Sequence, residues 1–166
     1  DLLDDHVGLD DVEPIDLVES VASVRKWDFE RLGSDKISMV AAGQWRSYQV
    51  LLSWSDFQKI LRLTCTFEIV PAKTKRPMLF ETINLCNEMI TTGAFYFCED
   101  QQKLIFRYAF PMREMGQLTP GLIDTLIANA LRQCDRFYPA FQLAIWSSRT
   151  PKEALNVAIA EAYGHA

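Results

Sequence analysis

The residue types that most often carry reactions are thinly supplied in this 166-residue chain. Two histidines occur, His6 inside an acidic stretch and His165 beside the last residue. A Ser-His-Asp or Cys-His arrangement needs an imidazole held within reach of its nucleophile by a rigid scaffold, and chain ends hold side chains poorly. The four cysteines, Cys65, Cys86, Cys98 and Cys134, show no CxxC spacing. A thiolate metal site therefore has no support, and each cysteine sits among apolar neighbours as a small buried hydrophobe would. The seven glycines are scattered singly, with no phosphate-cradling loop and no G-x-S-x-G. No metal and no cofactor is expected, and no catalytic residue is assigned.

Carboxylates are the remaining route to acid/base chemistry. Glu99-Asp100 and the positions Asp124 and Asp135 are the candidates. The first pair reads as a hairpin turn and the second as the polar face of an amphipathic helix. They sustain only an alternative reading, a small-molecule-binding or carboxylate-dependent hydrolase domain.

Aromatic residues point elsewhere. Of four tryptophans, Trp27 and Trp146 end helical patterns and are expected to plug the edge of the core. Trp45 and Trp54 bracket a predicted strand at its turns, where a large ring is harder to bury. Those two are the candidate partner-binding residues.

Bulk properties narrow the partner. A net charge of −5 and a pI of about 5.0 repel nucleic acid over most of the surface. The one basic cluster, Lys73, Lys75 and Arg76, reads as the solvated start of a helix. No apolar run reaches the roughly 18–20 residues that span a bilayer, and no signal segment opens the chain, so no membrane is expected. The first residue, Asp1, implies that a start or an upstream segment has been removed. Unpaired cysteines fit a reducing cytoplasm.

The elements that must position these residues follow from periodicity. Residues 1–13 carry Asp1, Asp4, Asp5, Asp10, Asp11 and Glu13 and read as a flexible acidic leader. Residues 14–166 read as one α+β domain. Pro14 opens a helix in which Leu17, Val21 and Val24 share a stripe, running to about Trp27. Three strands are predicted next, Ile37 to Ala42, Trp45 to Trp54 and Lys59 to Ile69, with Gly43-Gln44 turning the first into the second. In the third, Leu61, Leu63, Cys65, Phe67 and Ile69 alternate with polar residues, the pattern of an antiparallel sheet covered on one side. A second helix runs from about Arg76 to a stop at Gly93. A hairpin of Ala94 to Cys98 and Lys103 to Phe110 completes five strands. Thr119-Pro120 opens a third, strongly apolar helix, which Pro139 should end or kink, with a bent continuation to Trp146. Thr150-Pro151-Lys152-Glu153 has the form of a capping box and starts a fourth helix. The order is helix, three strands, helix, two strands, helix, helix.

Three stretches carry a family resemblance: residues 14–19 (PIDLVE), residues 134–142 (CDRFYPAFQ) and residues 151–155 (PKEAL). Together they resemble the YbjN family of bacterial proteins, over residues 13–163, with Arg136 to Phe141 the most specific run. That family is described as "putative sensory transduction regulators". The resemblance implies a fold like that of type III secretion chaperones, which commonly dimerise and hold segments of client proteins, and it implies no catalytic residues. The expected function is thus a non-enzymatic regulatory domain that binds another protein, with a homodimer implied by the same likeness.

Overall fold

The computed structural model describes residues 12–112 and 118–164. His6, His165 and residues 1–11 of the acidic leader lie outside that range. The chain is α+β: helix α1 (Pro14–Arg25), strands β1 (Asp28–Arg31), β2 (Lys36–Ala42), β3 (Ser47–Ser55) and β4 (Ile60–Glu68), helix α2 (Arg76–Glu88), strands β5 (Ala94–Cys98) and β6 (Lys103–Pro111), and helices α3 (Pro120–Trp146) and α4 (Pro151–Gly164). All strand pairs are antiparallel, and the sheet runs β1-β2-β3-β4-β6-β5.

The sheet has six strands, where the sequence led us to expect five. The additional one is β1, only four residues long and paired to β2 alone. Its Asp28, Glu30 and Arg31 leave Phe29 as the one apolar residue, so it carries little alternation to read. Charge and brevity are what protect an edge strand from pairing with another molecule.

Alternation elsewhere sorts the side chains as expected. Ile37, Met39 and Ala41 of β2, Tyr48, Val50, Leu52 and Trp54 of β3, and Leu61, Leu63, Cys65 and Phe67 of β4 all face one core. Helices α1, α2 and α3 cover that face, contributing Ile15 and Val18, Leu79 and Cys86, and Phe137 and Phe141 in turn, while α4 packs on α2 and α3 and adds Leu155 and Ala158. An aromatic cluster lies at its centre. The Phe95 ring meets those of Phe106, Phe137 and Phe141 at centroid distances of 5.2, 6.0 and 5.0 Å, within the range of favourable edge contacts.

Helix ends are set by local chemistry. Thr119 Oγ1 accepts from the Leu122 N–H at 3.1 Å, and the capping box is closed in both directions, Glu153 N–H to Thr150 Oγ1 and Thr150 N–H to Glu153 Oε2. The basic cluster is a single 3-10 turn leading into α2, and Lys75 Nζ donates at 3.1 Å to the Ser147 carbonyl at the end of α3. A cation there complements the helix dipole.

Two further sequence expectations are corrected. α2 ends at Glu88 and Met89, short of Gly93. Gly93, at φ 85°, instead lies against β6, where a Cβ would fall 2.5 Å from Cζ of Phe106 and 2.9 Å from the Arg107 carbonyl. The expected continuation of α3 past Pro139 to Trp146 is present, as one helix. Trp146 is 69% exposed and plugs nothing.

Candidate functional site

The continuity of α3 through Pro139 has a specific cause. Proline has no N–H, so the carbonyl four residues earlier, that of Asp135, loses its helical donor. The indole Nε1–H of Trp45 supplies one, at 3.0 Å. Trp45 lies in the four-residue connection between β2 and β3, closed by the Gly43 N–H donating to the Arg46 carbonyl at 2.8 Å. The proline's defect in one element is thus satisfied by the turn of another.

Asp135 holds the same turn with its side chain. The Gln44 N–H donates to Oδ2 at 2.8 Å and the buried Tyr48 hydroxyl donates to Oδ1 at 2.7 Å. Burial, with the carboxylate beside it, pushes the Tyr48 hydroxyl well above the usual phenol range, so it stays a donor. The fit is tight: a Cβ on Gly43 would lie 2.3 Å from the Tyr48 ring and 2.5 Å from Asp135 Oδ1. Arg46, last in the connection, lies over two rings, those of Phe67 and Tyr138, at 5.6 and 5.7 Å. Residues 43–46 are therefore fastened to α3 by two hydrogen bonds to Asp135 and by the Arg46 cation over the Tyr138 ring.

Beside this junction a groove of about 600 Å³ runs between α3, α4 and the turn. Trp45 stands on one side, 42% exposed despite its anchored nitrogen. Leu131, Pro139 and Ala158 give it an apolar floor, with Arg132 and Arg136 along the α3 wall and Glu161 on α4. A groove of this volume falls within the usual range for ligand sites.

No reactive constellation accompanies it. Among the described residues no three of His, Cys, Asp and Glu gather as a metal site requires. Asp124 is taken by Arg25, whose Nε donates to Oδ1 at 2.8 Å, while Asp135 is taken by the turn. Glu99 and Asp100 occupy the β5–β6 turn, Glu99 pairing with Arg76 at 3.6 Å. Burial pushes the Cys86 thiol up to about 12, and burial together with the neighbouring Cys65 thiol raises that of Cys134, which disfavours thiolate formation at both.

A model of the family YbjN, "Putative bacterial sensory transduction regulator", matches residues 14–143. The chain belongs to the YbjN family. Among solved structures, the crystal structure of YbjN, "a putative transcription regulator from E. coli", aligns over 91% of this chain and 92% of that one, with a TM-score of 0.51 and 10% identity. At that identity the likeness concerns the fold alone. Among curated proteins none matches the chain. No helix among the described residues is long and apolar enough to cross a membrane.

The run from Asp135 to Phe141, which carries much of the resemblance to YbjN proteins, coincides with the junction. Phe137 and Phe141 enter the aromatic core, Pro139 frees the carbonyl that Trp45 takes, and Tyr138 packs on Phe67 at 5.4 Å. Of the two tryptophans singled out from sequence, Trp45 lies at this site, whereas Trp54, 7% exposed, is part of the core. The sequence reading missed Asp135, treated as a solvated helix residue, and gave Tyr48 no role. Pro139 was the available signal, because a proline inside a helix implies a freed carbonyl at Asp135 in need of a donor.

Proposed function

We propose that this chain is a non-enzymatic regulatory domain that acts by binding another protein through the surface around Trp45. The observation that carries the proposal is the state of that ring. Its nitrogen is anchored to α3 while the residue stays 42% exposed beside a groove. An aromatic side chain already fixed in place loses little conformational freedom on binding, which is what favours it as an interface anchor. The family description as sensory transduction regulators agrees with such a role. The net charge of −5 weighs against regulation by direct contact with nucleic acid. The hydrolase alternative would need convergent acids, and Asp124 and Asp135 have separate partners.

Homodimer formation, chaperone-like holding of a client segment and a cytoplasmic setting belong to the same proposal. Four free cysteines, three of them buried, favour a reducing compartment. The scattering mass of the purified protein reads the dimer directly.

Affinity capture from the native bacterial lysate tests the central reading, comparing wild type with Trp45→Ala and Trp146→Ala. A protein retained by wild type and by Trp146→Ala, and lost with Trp45→Ala, is expected. Equal retention on all three, or no reproducible partner, would end the proposal.

A further inference from the structure

Resting on the protein-binding reading above, we propose that the groove between α3 and α4 beside Trp45 is the docking site for a partner's peptide segment that combines carboxylates with an apolar side chain. Charge and shape in the groove carry this inference. Arg132 and Arg136 stand one helical turn apart on the wall that faces it. Among the described residues neither forms an ion pair, in contrast to Arg25, Arg31 and Arg76. The Arg136 guanidinium rests 4.9 Å above its neighbour's ring at Phe137.

The two acids of the groove form no ion pair with these arginines. Both Asp135 oxygens already accept hydrogen bonds from the Gln44 N–H and the Tyr48 hydroxyl. Glu161 lies on the opposite wall, on α4. The α3 wall therefore offers two forked cations without ion-pair partners among the described residues, on a chain whose overall charge is negative, and their donors suit acidic groups. The same groove is lined by Ala128, Leu131, Pro139 and Ala158 beside Trp45, an apolar surface suited to an aliphatic or aromatic residue. An acid that meets Arg132 and Arg136 places a neighbouring apolar side chain against the indole.

Random dodecapeptides displayed on phage and selected against the full chain test the assignment. Enriched peptides should pair Asp or Glu with a large apolar residue. A synthetic peptide of the enriched sequence, followed by fluorescence anisotropy, should bind roughly tenfold or more weakly to Arg132→Glu/Arg136→Glu, the scale expected when charge-assisted bonds are lost. The milder Arg132→Gln/Arg136→Gln serves if the reversal lowers the urea midpoint. Enriched peptides without acids, or equal affinity for wild type and the arginine variants, would overturn the groove assignment and leave the protein-binding reading standing. An empty selection also overturns it, whereas the broader reading fails only if lysate capture is empty too. If a variant beginning at Val12 gains the affinity that the full chain lacks, the occupant is the chain's own acidic leader and the partner assignment falls.

Discussion

The Tyr48 hydroxyl donates to Asp135 Oδ1 across 2.7 Å, joining β3 to α3 between residues 87 positions apart in sequence. The tyrosine is fully buried. Tyr48→Phe leaves the carboxylate without one of its donors, so a loss of about 1.5–3 kcal/mol is expected, the range for bonds to charged groups. Asp135→Asn should cost a comparable amount. In a double-mutant cycle measured by urea denaturation the two losses should be strongly non-additive; simple addition would mean that the bond contributes nothing.

Gly43→Ala is expected to destabilise by about 1–3 kcal/mol, the usual penalty for forcing atoms into a filled space. Its Cβ would meet both the Tyr48 ring and the Asp135 carboxylate. The control is Gly121→Ala, where the nearest atom is 3.9 Å away. Thermal midpoints of the two variants should therefore move apart, with Gly121→Ala near wild type.

Alkaline stability should report Cys86. Its thiol is raised to about 12 in the folded chain by burial, against about 8.5 when unfolded. The folded state thus holds the proton more tightly, and the stabilisation is fully present below about pH 8.5 and lost as pH rises towards the folded value. Cys86→Ala should flatten the fall in urea midpoint between those limits, because Cys86 no longer titrates. An unchanged slope would assign the fall to other groups, with Tyr48 next to be tested above pH 10.

Asn87 guards the free edge of the sheet. Its carboxamide accepts from the Phe95 N–H at 2.8 Å and donates to the Phe95 carbonyl at 3.1 Å, as a neighbouring strand would. Asn87→Leu should cost about 1–3 kcal/mol for the two unsatisfied groups and should open β5 to pairing with another chain. Faster hydrogen exchange at the Phe95 amide and a concentration-dependent rise in scattering are the expected signs.

Much of this fold was legible as alternation and caps. β4 and the two halves of the β5–β6 hairpin were read close to their observed limits, because one buried and one open face impose period two. Trp54 is instructive: it continues the phase of Tyr48, Val50 and Leu52, and the sheet buries it accordingly. Its place at a predicted strand end drew attention away from that phase. Trp146 is the converse, falling off the buried stripe of α3 that runs through Phe141 and Ile145. What could not be read was which distant residue would answer each local need. Asp135 looks like any polar helix residue until the turn at residues 43–46 arrives from 90 positions upstream.

That separation orders events in time. While the ribosome has not yet delivered Asp135 and Pro139, β2 and β3 can pair, but the Trp45 indole has no carbonyl to hold and the groove has no walls. Long-range closures of this kind are slow steps in folding. The surface proposed for partner recognition therefore forms only once α3 has been made, and a partner that reads it would tell chains that include α3 from shorter fragments.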